Sequence, residues 1–275
     1  MGRGQAAGRM NAIVADFVAT YGALTEPTRS RPHHPIIAMT ESSVGYLAFD
    51  PRTARRVVRE RRLLEWAGGQ GLPVPRVVET DAAKLVVKRV ARDDPSGEAY
   101  TSAAIETALQ IAKGSTVPPG KGKVRRQGRV RSLPLRAARL ASGPLPMREF
   151  LSARRSAHFL ERDAVAHADF HPGNVLHDAS DGTIHVVDWQ HAGRAPRHTD
   201  LVFLWTHLRS PADRTQALEA VLSIENDRAH VARLMHWFSI RAVAETFFRV
   251  GAEPADVERR WSVLAEARRF ATSLR

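Results

Sequence analysis

The chain contains no cysteine. Disulfides, thiolate metal sites and cysteine nucleophiles are therefore excluded, and the composition suits a reducing compartment. No stretch approaches the roughly 18 consecutive apolar residues that a membrane span needs. The opening MGRGQAAGRM lacks the apolar run of a signal peptide, and Ala6 stands where a myristoylation signal wants Ser or Thr. A cytoplasmic protein without a membrane partner is the expectation.

What is present is enough for a packed protein: 275 residues, 43% hydrophobic and 25% charged. The net charge is +12, and residues 113–155 alone carry +11 of it, with Glu149 as their one acid. The basic character thus belongs to one segment rather than to the whole surface. That segment includes PPGKGKVRRQGRVR, whose Gly, Pro and cations predict an irregular insertion near 113–147.

Periodicity organises the remainder. Residues 11–24 have apolar residues at helical spacing, and Pro35–Met39 and Val44–Phe49 are strand-like. A helix follows from Arg52 and stops at Gly68 and Gly69, after which GLPVPRVVET leads into a strand and KLVVKRV forms another. Helices are expected at 98–112, 148–162, 211–250 and 254–273. The fold class is α+β, with a small mixed α/β part over 1–92 and a mostly helical part over 93–275.

Chemistry concentrates in HADFHPGNVLHDASDGTIHVVDWQ, residues 167–190. Val175–His177 and Ile184–Trp189 are strand-like, and Asp181-Gly182 between them is a turn signal. An antiparallel hairpin returns its second strand to the level where the first began, so Asn174 and Asp188 should lie side by side. Asp169 is on the loop leading in. A loop carboxylate beside an amide and a carboxylate at a hairpin's open end suits metal-assisted phosphoryl transfer.

His167, Asp169 and Asn174 form an H-x-D-x-x-x-x-N pattern, and H-A-D-F-H-P-G-N resembles the aminoglycoside phosphotransferase and choline kinase family. That resemblance implies a protein-kinase-like two-lobed fold, Asp169 as the base and His167 as a brace of the catalytic loop. It further implies Asn174 and Asp188 as Mg²⁺ ligands and ATP or GTP as phosphate donor. Asp200 in H-T-D-L resembles the acidic residue that supports the catalytic loop. R-E-R-R-L-L-E-W-A followed by G-L-P-V-P-R-V resembles the family's αC helix and next strand, which makes Glu60 the αC glutamate.

The pattern breaks in the first part of the chain. The family's β3 lysine pairs with that glutamate and contacts the phosphates. No lysine precedes Glu60, and V-G-Y-L-A-F-D has Ala48 or Phe49 at the lysine position. Arg55, Arg56, Arg59, Lys84 and Lys88 are the candidate substitutes, with Lys88 taken as the cofactor-binding one beside Glu60. No G-x-G-x-x-G loop is present, although Ser42 to Gly45 can make a short turn. A nucleotide-binding pseudokinase serving as a partner module is the alternative to an O-phosphotransferase.

The basic segment bears on the acceptor. It would repel a polycationic drug and attract an anionic hydroxyl compound or acidic peptide. Nucleic acid is the weaker partner, because no aromatic residues interleave with the charges. His177, His185, His191 and His198 suggest a metal cluster, but a chain with twelve histidines makes such neighbours common, and a zinc site is not the expectation.

Overall fold

The computed structural model describes residues 3–29, 34–90, 97–114, 145–178, 182–246 and 253–274. Most of the basic segment, 115–144, and Asp181 of the expected turn lie outside these residues. The chain divides into two compact units: one holds the described residues up to 90 together with Asn174–Gln190, the other the remaining described residues. Among the described residues no helix is long and apolar enough to cross a membrane.

The first unit begins with helix α1 (Arg3–Tyr21), then β1 (Ile36–Met39) and β2 (Ser43–Leu47). Helix α2 (Pro51–Gly69) follows, then β3 (Val77–Thr80) and β4 (Lys84–Lys88). The strands form an antiparallel sheet in the order β1-β2-β4-β3. Alternation decides its faces. Phe17 of α1 packs in a cluster with Ile36, Ala38, Leu47 and Val86, all on one face. Gly45 shares that face, and a Cβ there would come within 2.6 Å of the Phe17 ring. Glycine is therefore required for α1 to lie this close.

The other face presents Tyr46, paired with Leu85, and Val87, paired with Val44. Helix α2 starts sharply because Asp50 accepts from the N–H of Arg52 at 2.9 Å and of Thr53 at 2.7 Å. Thr53 Oγ1 accepts in return from the Asp50 N–H at 3.0 Å. This capping box, with Pro51 in the first turn, fixes the helix entry.

Strands β6 (Val175–His177) and β7 (Ile184–Val186) make an antiparallel hairpin in the register Val175↔Val186, Leu176↔His185 and His177↔Ile184. Its turn closes through the Gly182 N–H to Asp178 O at 2.8 Å, with Gly182 at φ +72. The Val186 N–H donates to Pro73 O at 2.8 Å, which attaches the hairpin to the segment after α2. The expected strand to Trp189 stops at Val186, because Asp188 turns into the left-handed region at φ +62.

The second unit holds α3 (Glu98–Ala112), α4 (Met147–His158), β5 (Ala164–Ala166), β8 (Gly193–Ala195) and α5 (Thr199–His207). It ends with α6 (Pro211–Ile224), α7 (Arg228–Thr246) and α8 (Pro254–Thr272). The single helical pattern expected over 211–250 is two helices. The Asp227 N–H donates to Glu225 at 2.8 Å, and Asp227 accepts from the His230 N–H at 2.9 Å, which caps α7. The core joins Leu145 and Ala153 to Ile240, Val243, Ala244 and Leu264, with Phe150, Trp237 and Trp261 packed around it.

Glu149 ties three helices of this unit. It accepts from Arg268 Nε of α8 at 2.8 Å and meets His236 Nε2 of α7 at 2.9 Å. The Arg268 guanidinium holds its carboxyl below the usual value, against burial, and His236 adds to the effect. A depressed carboxylate supplies stability above its unfolded pKa and loses it as pH falls through the folded one. We expect the melting temperature to drop between about pH 5 and pH 3, less steeply in Glu149→Gln. Arg268 is 42% exposed, so the difference should be about 1 kcal/mol at most. Parallel acid limbs in the two proteins would show that the network carries none of the acid sensitivity.

Candidate active site

In the second unit, β5 ends at Ala166 and the motif loop begins at His167, which is fully buried. Pairing of β5 with β8, Ala164↔Ala195 and Ala166↔Gly193, brings the start of α5 to the loop. Asp200, in the first turn of α5, accepts the His167 N–H on Oδ2 at 2.7 Å and the Ala168 N–H on Oδ1 at 2.8 Å. Ala168 is at φ +65, a conformation that costs a residue with a Cβ about 1–2 kcal/mol. The two charge-assisted bonds hold it there. Burial pushes the Asp200 carboxyl up to about 7; the two N–H donors oppose this and the Asp169 charge adds to it.

Asp169 itself is half-buried, next along the loop. Its carbonyl accepts the His171 N–H at 3.1 Å, and His171 Nδ1 accepts the Gly173 N–H at 2.9 Å. A Cβ on Gly173 would come within 2.7 Å of the His171 ring, so this tight turn requires glycine. His171 is thus bonded to backbone, with its ring 5.5 Å from that of His207.

In the first unit, the hairpin juxtaposes the two other motif residues. The Val187 N–H donates to Asn174 O at 2.9 Å, which sets Asn174 level with the residue before Asp188. Asn174 is buried, at 9% exposure, and Asp188 is half-buried. Glu60 lies beside them: its Oε1 accepts the Trp189 N–H at 2.9 Å, across 129 residues of sequence. Burial raises the Glu60 carboxyl to about 8, the Asp188 charge raises it further, and the Trp189 N–H opposes both. The sequence reading gave Tyr46 no role, yet it belongs to this group. Its phenol is pushed up by burial first, then by the charges of Glu60 and Asp188.

The profile of the family described as "Phosphotransferase enzyme family" (APH) matches residues 44–234, more than half of the chain, and spans all of these residues. The chain belongs to this family. No curated protein sequence matches it. The phosphotransferase is similar in structure to a choline/ethanolamine kinase family protein from Mesorhizobium loti, with TM-score 0.58 and 15% identity over 95% of this chain and 94% of that one. It is also similar to an ADP-bound aminoglycoside phosphotransferase, APH(2'')-Ib, with TM-score 0.57 and 13% identity over 94% and 99% of the two chains. Choline kinase LicA from Streptococcus pneumoniae gives TM-score 0.57 and 14% identity over 96% and 99%. At such identities the likeness is one of fold. The fold is the protein-kinase-like one, α+β, with an N-terminal antiparallel sheet and helices and a helical C-terminal part.

The lysines of the phosphotransferase's first unit do not take the missing position. Lys84 Nζ pairs with Glu79 at 2.7 Å, and Tyr21 bonds the same carboxylate. Lys88 is two residues beyond Val86 and opposite Ser43, so alternation puts it on the α1 face of the sheet. Tyr46 is on the opposite face. A strand's period of two thus sets Lys88 and Tyr46 on opposite faces of the sheet. Of the six motif residues expected from sequence, Asn174, Asp188 and Glu60 gather in the first unit. His167 and Asp169 share the loop in the second, and Lys88 stands apart.

Proposed function

We propose that this phosphotransferase transfers the terminal phosphate of ATP or GTP to a hydroxyl group of a small molecule or peptide. The observation that carries the reading is the level placement of Asn174 and Asp188 at the open end of the β6–β7 hairpin. A buried amide and a carboxylate offer hard oxygen donors, and these fit Mg²⁺. When bound, Mg²⁺ neutralises charge on the phosphates. Asn174 and Asp188 hold it, and Asp169, next to the strained Ala168, accepts the proton of the attacking hydroxyl. His167 braces the loop through its buried ring and its main-chain bond to Asp200.

The part up to residue 92 would then bind nucleotide, with Glu60 among its residues, and the rest would supply the catalytic loop. An ADP-bound aminoglycoside phosphotransferase and one in complex with streptomycin and ATP share the fold, which favours a nucleotide donor. The charge of the 113–155 segment favours an anionic acceptor, an acidic peptide included, over nucleic acid. The absence of cysteine suits a cytoplasmic enzyme.

Thermal unfolding tests the reading. A ligand of the native state raises the melting temperature by mass action. We expect ATP or GTP with Mg²⁺ to raise it by roughly 5 °C or more, and the rise to vanish in Asp188→Ala. No rise with either nucleotide would remove the donor assignment. The missing lysine favours one other reading, a module that binds nucleotide without transfer. A Mg²⁺-dependent rise with no phosphate transfer to any of a panel of hydroxyl acceptors would favour it.

A further inference from the structure

We infer that Glu60 acts as a positioning residue, holding the backbone at Trp189 and thereby fixing Asp188, instead of pairing with a lysine. The inference rests on the proposed role of Asp188 but concerns a contact that exists without nucleotide. The Glu60 side chain is buried, and its Oε1 accepts the Trp189 N–H at 2.9 Å. That N–H belongs to the peptide linking Asp188 to Trp189. Fixing this plane fixes ψ of Asp188, whose φ is already in the left-handed region at +62. Such a backbone persists only where its surroundings over-determine it.

Three further contacts do so. The Trp189 ring is fully buried and meets Trp66 edge-on at 5.9 Å, so one helix, α2, grips residue 189 with both Glu60 and Trp66. The Trp189 indole N–H donates to Val186 O at 2.9 Å, and Val186 N–H to Pro73 O at 2.8 Å. Helix α2, the segment after it and the end of β7 form one bonded unit with Asp188 inside it. Among the described residues, Lys84 is engaged by Glu79, and Lys88 is on the other sheet face from Glu60's neighbour Tyr46.

A clamp and an ion pair make opposite demands on the side chain. A clamp needs an acceptor oxygen at the length of a glutamate and no charge. A partner for a cation needs charge and tolerates some change of length. Glu60→Gln keeps the oxygen and removes the charge; Glu60→Asp keeps the charge and withdraws the oxygen by one methylene. Two readouts separate the roles. Amide hydrogen exchange over 186–191 without nucleotide should stay slow in Glu60→Gln and rise by roughly tenfold or more in Glu60→Asp. The apparent Mg²⁺ requirement for ADP binding should stay within about threefold in Glu60→Gln and rise roughly tenfold in Glu60→Asp.

Glu60→Gln as impaired as Glu60→Asp, or more so, in either readout would overturn the inference and return Glu60 to a charge-pairing role. If the wild type bound no Mg²⁺-ADP, the positioning role would fall along with the proposed site. The exchange data would still decide whether the clamp exists.

Discussion

Asp169→Asn is expected to lower phosphate transfer by roughly 10²–10⁴-fold while leaving Mg²⁺-dependent nucleotide binding within a few-fold. The substitution is isosteric, so the loop should keep its form. The Asp169 carbonyl accepts the His171 N–H and His171 Nδ1 accepts the Gly173 N–H, and the substitution leaves both of these bonds in place. What is lost is the ability to accept a proton. Asparagine has no basicity, so the hydroxyl must lose its proton to water, and the rate falls by the usual contribution of a placed base. Single-turnover transfer and nucleotide titration on the same preparation separate the two effects. A fall of less than about tenfold would mean that the proton leaves by another route. A parallel loss of nucleotide binding would mean that Asp169 serves the ground state as well.

The local elements of this fold were legible in the sequence, and the long-range ones were not. The β6–β7 hairpin can be read because Asp181-Gly182 lies between two short β-branched runs, and its register then follows. Helix α2 can be read because Gly68 and Gly69 end it, and α3 because its period holds over Glu98–Ala112. Strands β5 and β8 escape. AVA and GRA are three residues each, too short to show alternation, and they pair across 26 or more intervening residues. Helix α5 is marked only by the resemblance of Asp200 to the family's acidic residue at the start of the next helix: TDLVFLWTH is buried almost all round, so no polar face marks its period.

The site divides in the same way. Asp169, Asn174 and Asp188 stand out because their spacing is local. The partner of Glu60 does not, because the donor at Trp189 is a main-chain N–H and carries no side-chain signature. The absence of a lysine before Glu60 was visible in the sequence. Where Lys84 and Lys88 point was not, since that depends on which sheet face α1 covers, and a contact between Phe17 and Gly45 decides it.

Asp200→Ala is expected to cost about 2–5 kcal/mol of stability and to disable transfer in the molecules that remain folded. The carboxylate satisfies two main-chain N–H groups that are otherwise buried, those of His167 and Ala168. Each buried donor left without an acceptor costs about 1–3 kcal/mol. The alanine variant orphans both, and it also removes what keeps Ala168 at φ +65. In a chain of this size the loss corresponds to roughly 5–15 °C in melting temperature. Relaxation of Ala168 then displaces Asp169, the next residue, so the damage reaches the chemistry without any contact of Asp200 with substrate. Asp200→Asn discriminates between charge and geometry poorly, since its NH₂ would face a second N–H donor; it should behave like the alanine. The readout that isolates positioning is the rate at a temperature well below the variant's own unfolding transition. A transfer rate there close to wild type would show that the loop holds its shape without the carboxylate. A loss of roughly 10²-fold or more, with nucleotide binding kept, would show that the catalytic loop depends on two hydrogen bonds that it donates to a helix beginning some thirty residues later.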